Sequence, residues 1–374
     1  MERAPRILFA GGGTGGHVYP AIAIADAIRS LQPEAVIAFA GTQERIEWRV
    51  VPRAGYPIYP ITVSGFHRGQ PARNLAFPFK LAKGLAESWG LVRDFDADVA
   101  VGTGGYVSGP VLLAASLRRR PIVVQEQNAY AGVTNRLLGR RAARIHLAFT
   151  EAMKAFPTDR CVLSGNPTRP ELCTADRAEA RRFFDLPETA AVLLVFGGSL
   201  GSLALNAAME AHHAALLADE HRYVLWQTGI QYFERLQARL PAHPRLRLLP
   251  YVDRMDLAYA AADLVLCRAG AITCSELMVT GTPAVLVPSP NVAEDHQTRN
   301  AESMAAAGAA VLLPEKHLDA TLVGEVNTLM QQLARRQAMR AAALRLARPG
   351  AALDIARDVL SLTPSHTASP TASP

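Results

Sequence analysis

One stretch limits this chain more than any other: Arg6-Ile-Leu-Phe-Ala-Gly-Gly-Gly-Thr-Gly-Gly-His17 runs a short apolar strand into a glycine-rich turn and then into a helix. Glycine tolerates positive φ and lets a ligand reach main-chain N–H groups. The helix that follows, with Ile24, Ile28 and Leu31 on one face, aims its N-terminal dipole at the turn. Such a backbone suits phosphate or sugar, and it equally serves a tight strand-to-helix connection without ligand. The dinucleotide fingerprint fits poorly, because the second strand, Ala35 to Ala40, runs into Gly41 and Thr42 where a ribose-binding acid would stand. A phosphate-binding lysine loop fits no better, since His17 and Val18 occupy the positions of Lys and Ser or Thr.

The same plan recurs at Val192-Leu-Leu-Val-Phe-Gly-Gly-Ser199. Apolar runs at 97–102, 121–126, 143–149, 161–165, 191–197, 223–229, 262–268 and 283–289 alternate with helical patterns. That alternation predicts α/β architecture, parallel sheets with helices on both faces. Two prolines in Gly165-Asn-Pro-Thr-Arg-Pro170 interrupt the series, which sets one doubly wound, Rossmann-like domain over 1–165 and a second over 166–347. Two domains also suit 374 residues at roughly 150 per domain. Ligands of open α/β sheets sit beyond the carboxyl ends of the strands, so two such domains facing each other would hold two substrates in an interdomain cleft. The helical segment 351–362, with Leu353, Ile355, Val359 and Leu362, is expected to cross back onto the first domain, and the low-complexity residues 363–374 read as a disordered tail.

Hydrophobic content of 49% fills two cores, yet no apolar run approaches the ~18 to 20 residues that span a bilayer. Met1 to Pro5 lead directly into a strand without a signal-peptide core, so the chain is expected to stay in the cytosol. The cysteines at 161, 173, 267 and 274 form no C-x-x-C pair and read as buried free thiols, with neither zinc nor disulfides expected. The net charge of +6 comes from arginine, only Lys80, Lys83, Lys154 and Lys316 being lysines among 39 basic residues. That excess suits phosphate or an anionic surface, and no nucleic-acid partner is expected.

Several constellations fall at strand ends. Gly102-Thr-Gly-Gly-Tyr-Val-Ser-Gly109 repeats the logic of the opening turn, and Gly104, Gly105 and Tyr106 are its acceptor-facing residues; a plain turn before Pro110 is the other reading. In Gln125-Glu-Gln-Asn128, Glu126 is placed to orient His17 or take a proton, and Asn128 offers donor and acceptor to a sugar or caps a loop. Phe196-Gly-Gly-Ser-Leu-Gly-Ser202 presents amides and the Ser199 hydroxyl to a diphosphate. Cys267-Arg-Ala-Gly-Ala-Ile-Thr-Cys-Ser-Glu276 ends a buried strand and opens a helix on which Glu276 either accepts ribose hydroxyls or stabilises its own helix dipole. Gln297, in the polar loop 294–300, is placed to meet sugar hydroxyls. Asp94-Phe-Asp-Ala-Asp98 has the D-x-D pattern of a metal-diphosphate site but stands at the start of a strand, away from the ligand end; helix dipoles and Arg169 serve the diphosphate instead.

Taken in order, GGGTGGHVYP, GTGGYVSGP, EQN, SGNPTRP, FGGSLGS and CRAGAITCSE make residues 6–360 similar to a family of bacterial glycosyltransferases. Its members move N-acetylglucosamine from UDP-N-acetylglucosamine to lipid I, giving lipid II of peptidoglycan. The resemblance implies a GT-B-type fold of facing halves, inversion at the anomeric carbon, and neither metal nor cofactor. It also implies that Ser199, Arg169 and Gln297 contact the donor, that Ala271, Ile272 and Thr273 line the uracil and phosphate seat, that Val252 lies at the uracil and that Glu276 takes the ribose. Thr14, Gly15, Gly16 and Asn128 would meet the sugar. The chain departs from the family at Gln125, usually His, and at Leu200-Gly-Ser202, usually Gln-Gly-Ala.

Gln125 does not titrate, which leaves His17 as the base, a residue type with a pKa near ~6.5, and Glu126 to orient it. Lipid I is membrane-anchored, so the enzyme is expected on the cytoplasmic face of the inner membrane as a peripheral protein, in contact with an anionic surface. The segment Arg68 to Arg93 mixes Leu75, Phe77, Phe79, Leu81 and Trp89 with Arg73, Lys80 and Lys83, as an interfacial helix or an ordinary core-facing one would. Cell-wall synthesis and division proteins are further candidate partners. A UDP-N-acetylglucosamine epimerase and a non-catalytic nucleotide-sugar-binding scaffold are the competing readings; the joint presence of His17 and Glu126 favours an enzyme over the scaffold, and donor consumption that needs lipid I separates the transferase from the epimerase.

Overall fold

The computed structural model describes residues 3–63 and 77–364. The chain divides into two compact units, Met1–Pro167 with Gly350–Pro374, and Thr168–Pro349.

The first unit runs β1 (Arg6–Gly11), α1 (Gly15–Leu31), β2 (Val36–Gly41), α2 (Glu47–Arg53), β3 (Ile58–Pro60), α3 (Phe77–Asp94), β4 (Val99–Gly104), α4 (Ser108–Leu117), β5 (Ile122–Glu126), α5 (Val133–Gly139), β6 (Arg144–Leu147) and β7 (Cys161–Leu163). Its strands pair in the order β3-β2-β1-β4-β5-β6-β7, parallel throughout. Successive side chains of a strand face opposite ways. Ile7 and Phe9 accordingly pack with Ile24 and Ile28 of α1, and Leu8 and Ala10 with Val111 and Leu112 of α4. Both faces are covered, which is why these strands read as continuous apolar runs.

The second unit runs α6 (Arg177–Phe183), β8 (Ala191–Phe196), α7 (Leu203–Leu216), β9 (Arg222–Gln227), α8 (Ile230–Arg239), β10 (Leu246–Leu249), α9 (Met255–Ala261), β11 (Leu264–Cys267), α10 (Ala271–Thr280), β12 (Ala284–Leu286), α11 (His296–Ala306), β13 (Ala310–Leu312), α12 (Leu318–Gln331) and α13 (Leu333–Leu346). Its order is β10-β9-β8-β11-β12-β13, again all parallel. Leu193, Val195, Trp226 and Leu266 meet Met209 of α7 and Leu322 and Val326 of α12 in its core.

Helix α14 (Ala351–Ser361) belongs to the first unit, where Ile355, Ala356, Val359 and Leu360 join the cluster built on Ile24 and Ile28. Asp358 ties it to β6, with one oxygen 3.1 Å from His146 Nε2 and the other 3.3 Å from Arg144 Nε. Thr363 is buried and donates to the Leu360 carbonyl at 2.7 Å, so order persists beyond the expected start of the tail; residues 365–374 lie outside the described part.

Three short strands, β3, β10 and β13, were not apparent as apolar runs. The cysteines also differ from expectation: Cys267 and Cys274 are buried thiols, Cys161 is half-buried and Cys173 is exposed. The D-x-D acids serve the fold. Asp98 accepts the Arg6 amide at 2.8 Å and Arg3 Nη2 at 2.7 Å, while Asp96 pairs with Arg3 and Arg120.

Candidate active site

In each sheet the strand order reverses at one point, between β1 and β4 in the first unit and between β8 and β11 in the second. Chains leaving neighbouring strands in opposite directions open a crevice there, beyond the carboxyl ends of the strands. The predicted glycine turns fall at both points.

In the first unit, the turns after β1 and β4 touch: the Gly12 amide meets the Gly104 carbonyl at 3.4 Å. A side chain on Gly105, whose φ is +83°, would collide with the Gly12 carbonyl, so glycine is required for the close approach. Ser108 fixes the second turn by donating to the carbonyls of Ala10 and Gly104. Thr14 caps α1 only through its backbone, leaving its hydroxyl unused in the cap, and Gly15 and Gly16 form the first turn of that helix. Tyr106 stands largely exposed beside Gly104 and Gly105.

His17 sits half-buried on α1 with Nδ1 3.0 Å from the Thr103 carbonyl and 3.0 Å from Gln127 Oε1. Both partners accept, so the proton resides on Nδ1 and Nε2 carries the lone pair. Gln127 in turn donates from Nε2 to Thr103 O and to Gln125 Oε1.

The expected pairing of Glu126 with His17 is not what forms. Glu126 is buried and its carboxylate accepts the Asn128 amide (3.0 Å) and side chain (3.3 Å), the Gly132 amide (3.1 Å) and Asn135 Nδ2 (2.8 Å). Neighbours along an extended chain point to opposite sides, so Gln127 reaches the histidine and Glu126 shapes the loop that carries Asn128. A second acid escaped the sequence reading: Glu47, buried on α2, accepts the amides of Gly13 at 3.0 Å and Thr42 at 3.1 Å. The turn's Gly13 amide is therefore directed inward.

In the second unit, Gly198 and Gly201 adopt φ of +87° and +78°, and Ser199 is exposed at the crest of their turn. Ser202 caps α7 by accepting the Leu205 amide at 3.4 Å. Arg268, at the end of β11, donates to Ser202 Oγ from Nη2 at 2.7 Å and to the carbonyls of Val287 and Pro288, and pairs with Glu315. Gln227 links the Gly198 carbonyl (3.0 Å) to the amide of buried Val252 (2.9 Å).

Helix α10 starts from Gly270, which offers no side-chain cap to its first turn, Ala271, Ile272 and Thr273. The N-terminal end of a helix dipole favours an anion. One turn on, Glu276 accepts Arg169 Nη2 at 3.2 Å and the buried Tyr259 hydroxyl at 3.0 Å. Burial pushes its carboxyl above the ordinary range, against the opposing pull of Arg169. Gln297, in the first turn of α11, accepts the Ser289 amide at 2.9 Å. The candidate donor residues thus gather at the carboxyl edge of β8, β11 and β12, and Tyr259 and Arg268 join them without a sequence signal.

Comparison with known proteins agrees along the chain. Residues 7–147 match the glycosyltransferase family 28 N-terminal domain and residues 192–355 its C-terminal domain. A relative from Salinibacter ruber, named UDP-N-acetylglucosamine--N-acetylmuramyl-(pentapeptide) pyrophosphoryl-undecaprenol N-acetylglucosamine transferase, is 59% identical over 360 residues, 96% of this chain and 97% of its own. One of the same name from Chlorobium limicola is 42% identical over 362 residues, covering 95% and 99%. The crystal structure of Acinetobacter baumannii MurG superposes with a TM-score of 0.77 at 32% identity, over 96% of this chain and 99% of that one.

Proposed function

Because the chain belongs to glycosyltransferase family 28, we propose that it moves N-acetylglucosamine from UDP-N-acetylglucosamine to the C4 hydroxyl of the muramyl sugar of lipid I, forming lipid II with inversion. The observation that carries this reading in the site is His17, whose Nδ1 is held by two acceptors so that Nε2 is left as a base at the switch point of the first sheet. The acceptor oxygen attacks the anomeric carbon as its proton passes to Nε2, and the bond to UDP breaks on the opposite face. General-base assistance of this kind contributes roughly 10² to 10⁴-fold.

The donor is read onto the second unit. Ala271, Ile272 and Thr273 seat uracil and phosphate, supported by their place in the first turn of α10, where the helix dipole favours an anion; Val252 borders the uracil and Glu276 takes the ribose hydroxyls. Ser199, Arg169 and Gln297 meet the diphosphate and sugar. On the first unit Thr14, Gly15, Gly16 and Asn128 meet the transferred sugar, and Gly104, Gly105 and Tyr106 the acceptor.

A membrane-anchored acceptor requires docking, and no helix among the described residues is long and apolar enough to cross a membrane. The start of α3 supports peripheral attachment at an anionic surface: Phe79 and Leu81 are 80% and 48% exposed, with Lys80 and Lys83 exposed beside them. Trp89 is a weaker member, since the Arg118 guanidinium covers its ring at 4.9 Å; Arg68, Arg73 and Leu75 lie outside the described residues. Attachment at the cytoplasmic face follows from this reading, as would contact with cell-wall synthesis and division proteins.

Transfer of radiolabel from UDP-N-acetylglucosamine to a lipid I analogue tests the whole, with Glu276→Ala as control. Donor consumed only when lipid I is supplied separates the transferase from an epimerase, and a chain that binds UDP yet transfers nothing sinks the reading in favour of a scaffold.

A further inference from the structure

The group on His17 Nδ1 must accept a hydrogen bond, and the group beside the Thr103 carbonyl and Gln125 Oε1 must donate one. Only a primary amide does both from one side chain, with an oxygen at one corner and two N–H bonds at the other. Gln127 does so: Oε1 lies 3.0 Å from Nδ1, while Nε2 donates to Thr103 O and Gln125 Oε1. Its orientation is fixed in turn. Gln125 Nε2 donates to Asn166 Oδ1 at 2.7 Å, and Asn166 Nδ2 donates to the Gln127 carbonyl at 3.0 Å, closing a ring of three buried, uncharged side chains.

We propose that Gln127 is a positioning residue that, together with the Thr103 carbonyl, holds the His17 ring and its Nδ1 proton in place, and that the Gln125–Asn166 relay prevents its amide from flipping. A flipped amide would turn N–H toward Nδ1 in competition with the Thr103 carbonyl, favouring the tautomer whose proton is on Nε2 and which has no lone pair there. The inference rests on reading Nε2 of His17 as the base. Gln125 thereby works as a keeper of Gln127, accepting from its Nε2 and donating to Asn166.

Among the described residues no carboxylate or guanidinium is bonded to His17. The charged groups on the surrounding segments are engaged elsewhere, Glu126 with Asn128, Gly132 and Asn135, and Glu47 with Gly13 and Thr42. An amide acceptor thus fixes the ring without adding a charge that would stabilise the imidazolium.

Nitrogen-15 NMR of the histidine-labelled full chain reads the tautomer directly, with the His17 signal assigned by its loss in His17→Ala. The expected wild-type spectrum has the proton on Nδ1. In Gln127→Leu, the Thr103 carbonyl is left as the one acceptor on Nδ1, so the ring loses half of its anchorage and kcat should fall at least tenfold, with KM for UDP-N-acetylglucosamine within about twofold. In Gln127→Glu, an anion faces Nδ1, so the acidic limb of kcat/KM against pH should move up by about one pH unit or more. A wild-type proton on Nε2, or a Gln127→Leu enzyme with unchanged kcat and a Gln127→Glu enzyme with an unmoved acidic limb, overturns the proposal; the wild-type spectrum decides even where a variant does not fold. Failure of the base assignment looks different, as His17→Ala would then keep turnover while the wild-type tautomer stays fixed.

Discussion

Arg169 donates to one oxygen of Glu276 over 3.2 Å while the Tyr259 hydroxyl holds the other at 3.0 Å, so both oxygens of a largely buried carboxylate are engaged. Burial outweighs these partners and raises its pKa in the folded chain. The folded state therefore holds the proton more tightly than the unfolded one, and ionised Glu276 subtracts stability as pH rises past the unfolded value of ~4.3. Glu276→Gln should melt higher than the parent at pH 7, with the difference closing below about pH 4. Its affinity for UDP-N-acetylglucosamine should drop on the order of 10 to 100-fold, the equivalent of about 1.5–3 kcal/mol for a hydrogen bond to a charged group. Calorimetric titration and thermal scans at the two pH values check both halves; a variant no more stable than the parent at pH 7 contradicts the first.

Asp358 shows the opposite sign. The approach of His146 Nε2 to within 3.1 Å lowers the carboxyl below its ordinary value, with Arg144 adding to the effect. The unfolded chain binds that proton more tightly, so the stabilisation is present above ~3.9 and disappears as pH falls through the folded value. Asp358→Asn should lose about 1 to 2 kcal/mol at pH 7 and progressively less below pH 4. Urea denaturation across that range, showing a constant loss, would refute the titration argument.

Two glycines should respond in opposite directions to the same change. At Gly105, φ is +83° and an added methyl meets the Gly12 backbone, so Gly105→Ala should destabilise by about 2 kcal/mol or more. At Gly90, within α3, a Cβ finds nothing within 4 Å, and alanine should stabilise by up to about 1 kcal/mol. Equal effects in denaturant titrations would mean that the two glycine turns of the first unit do not need their close approach.

Docking through the start of α3 has its own signature. Phe79→Ser with Leu81→Ser should abolish sedimentation with anionic vesicles, and Lys80→Gln with Lys83→Gln should weaken it by about 1 kcal/mol per lysine at low salt. Soluble acceptor analogues should still be turned over by both variants. Unchanged sedimentation of the first pair places the membrane contact elsewhere.

Much of this was legible in the chain because a strand buried on both faces is a run of apolar residues and a switch-point turn is a run of glycines. Strands of three or four residues were not legible: Ile58-Tyr-Pro60 and Ala310-Val-Leu312 are too short to show a period. The active-site partners were missed for another reason. Gln127 lies 110 residues from His17 and Glu47 lies 34 from Gly13, and only the strand order brings such positions together. Glu126 and Gln127 are one residue apart, which along an extended chain is the difference between opposite sides, and only Gln127 reaches His17.

The two glycine turns are near copies in sequence, yet they rest on opposite charges. Beneath the first, the Glu47 carboxylate takes the Gly13 amide; beside the second, the largely buried Arg268 guanidinium grips Ser202, with Glu315 as its counter-ion. A phosphate at the first turn would meet an anion already seated there and find one amide donor taken, whereas the second turn has a guanidinium beside it and the N-terminal end of the α10 dipole at the neighbouring strand end. A duplicated architecture has in this way acquired a polarity. On the proposed reading, with the nucleotide on the second unit, the side chains packed against the turns carry the difference, and exchanging Glu47 and Arg268 for neutral residues should blur it while leaving every glycine in place.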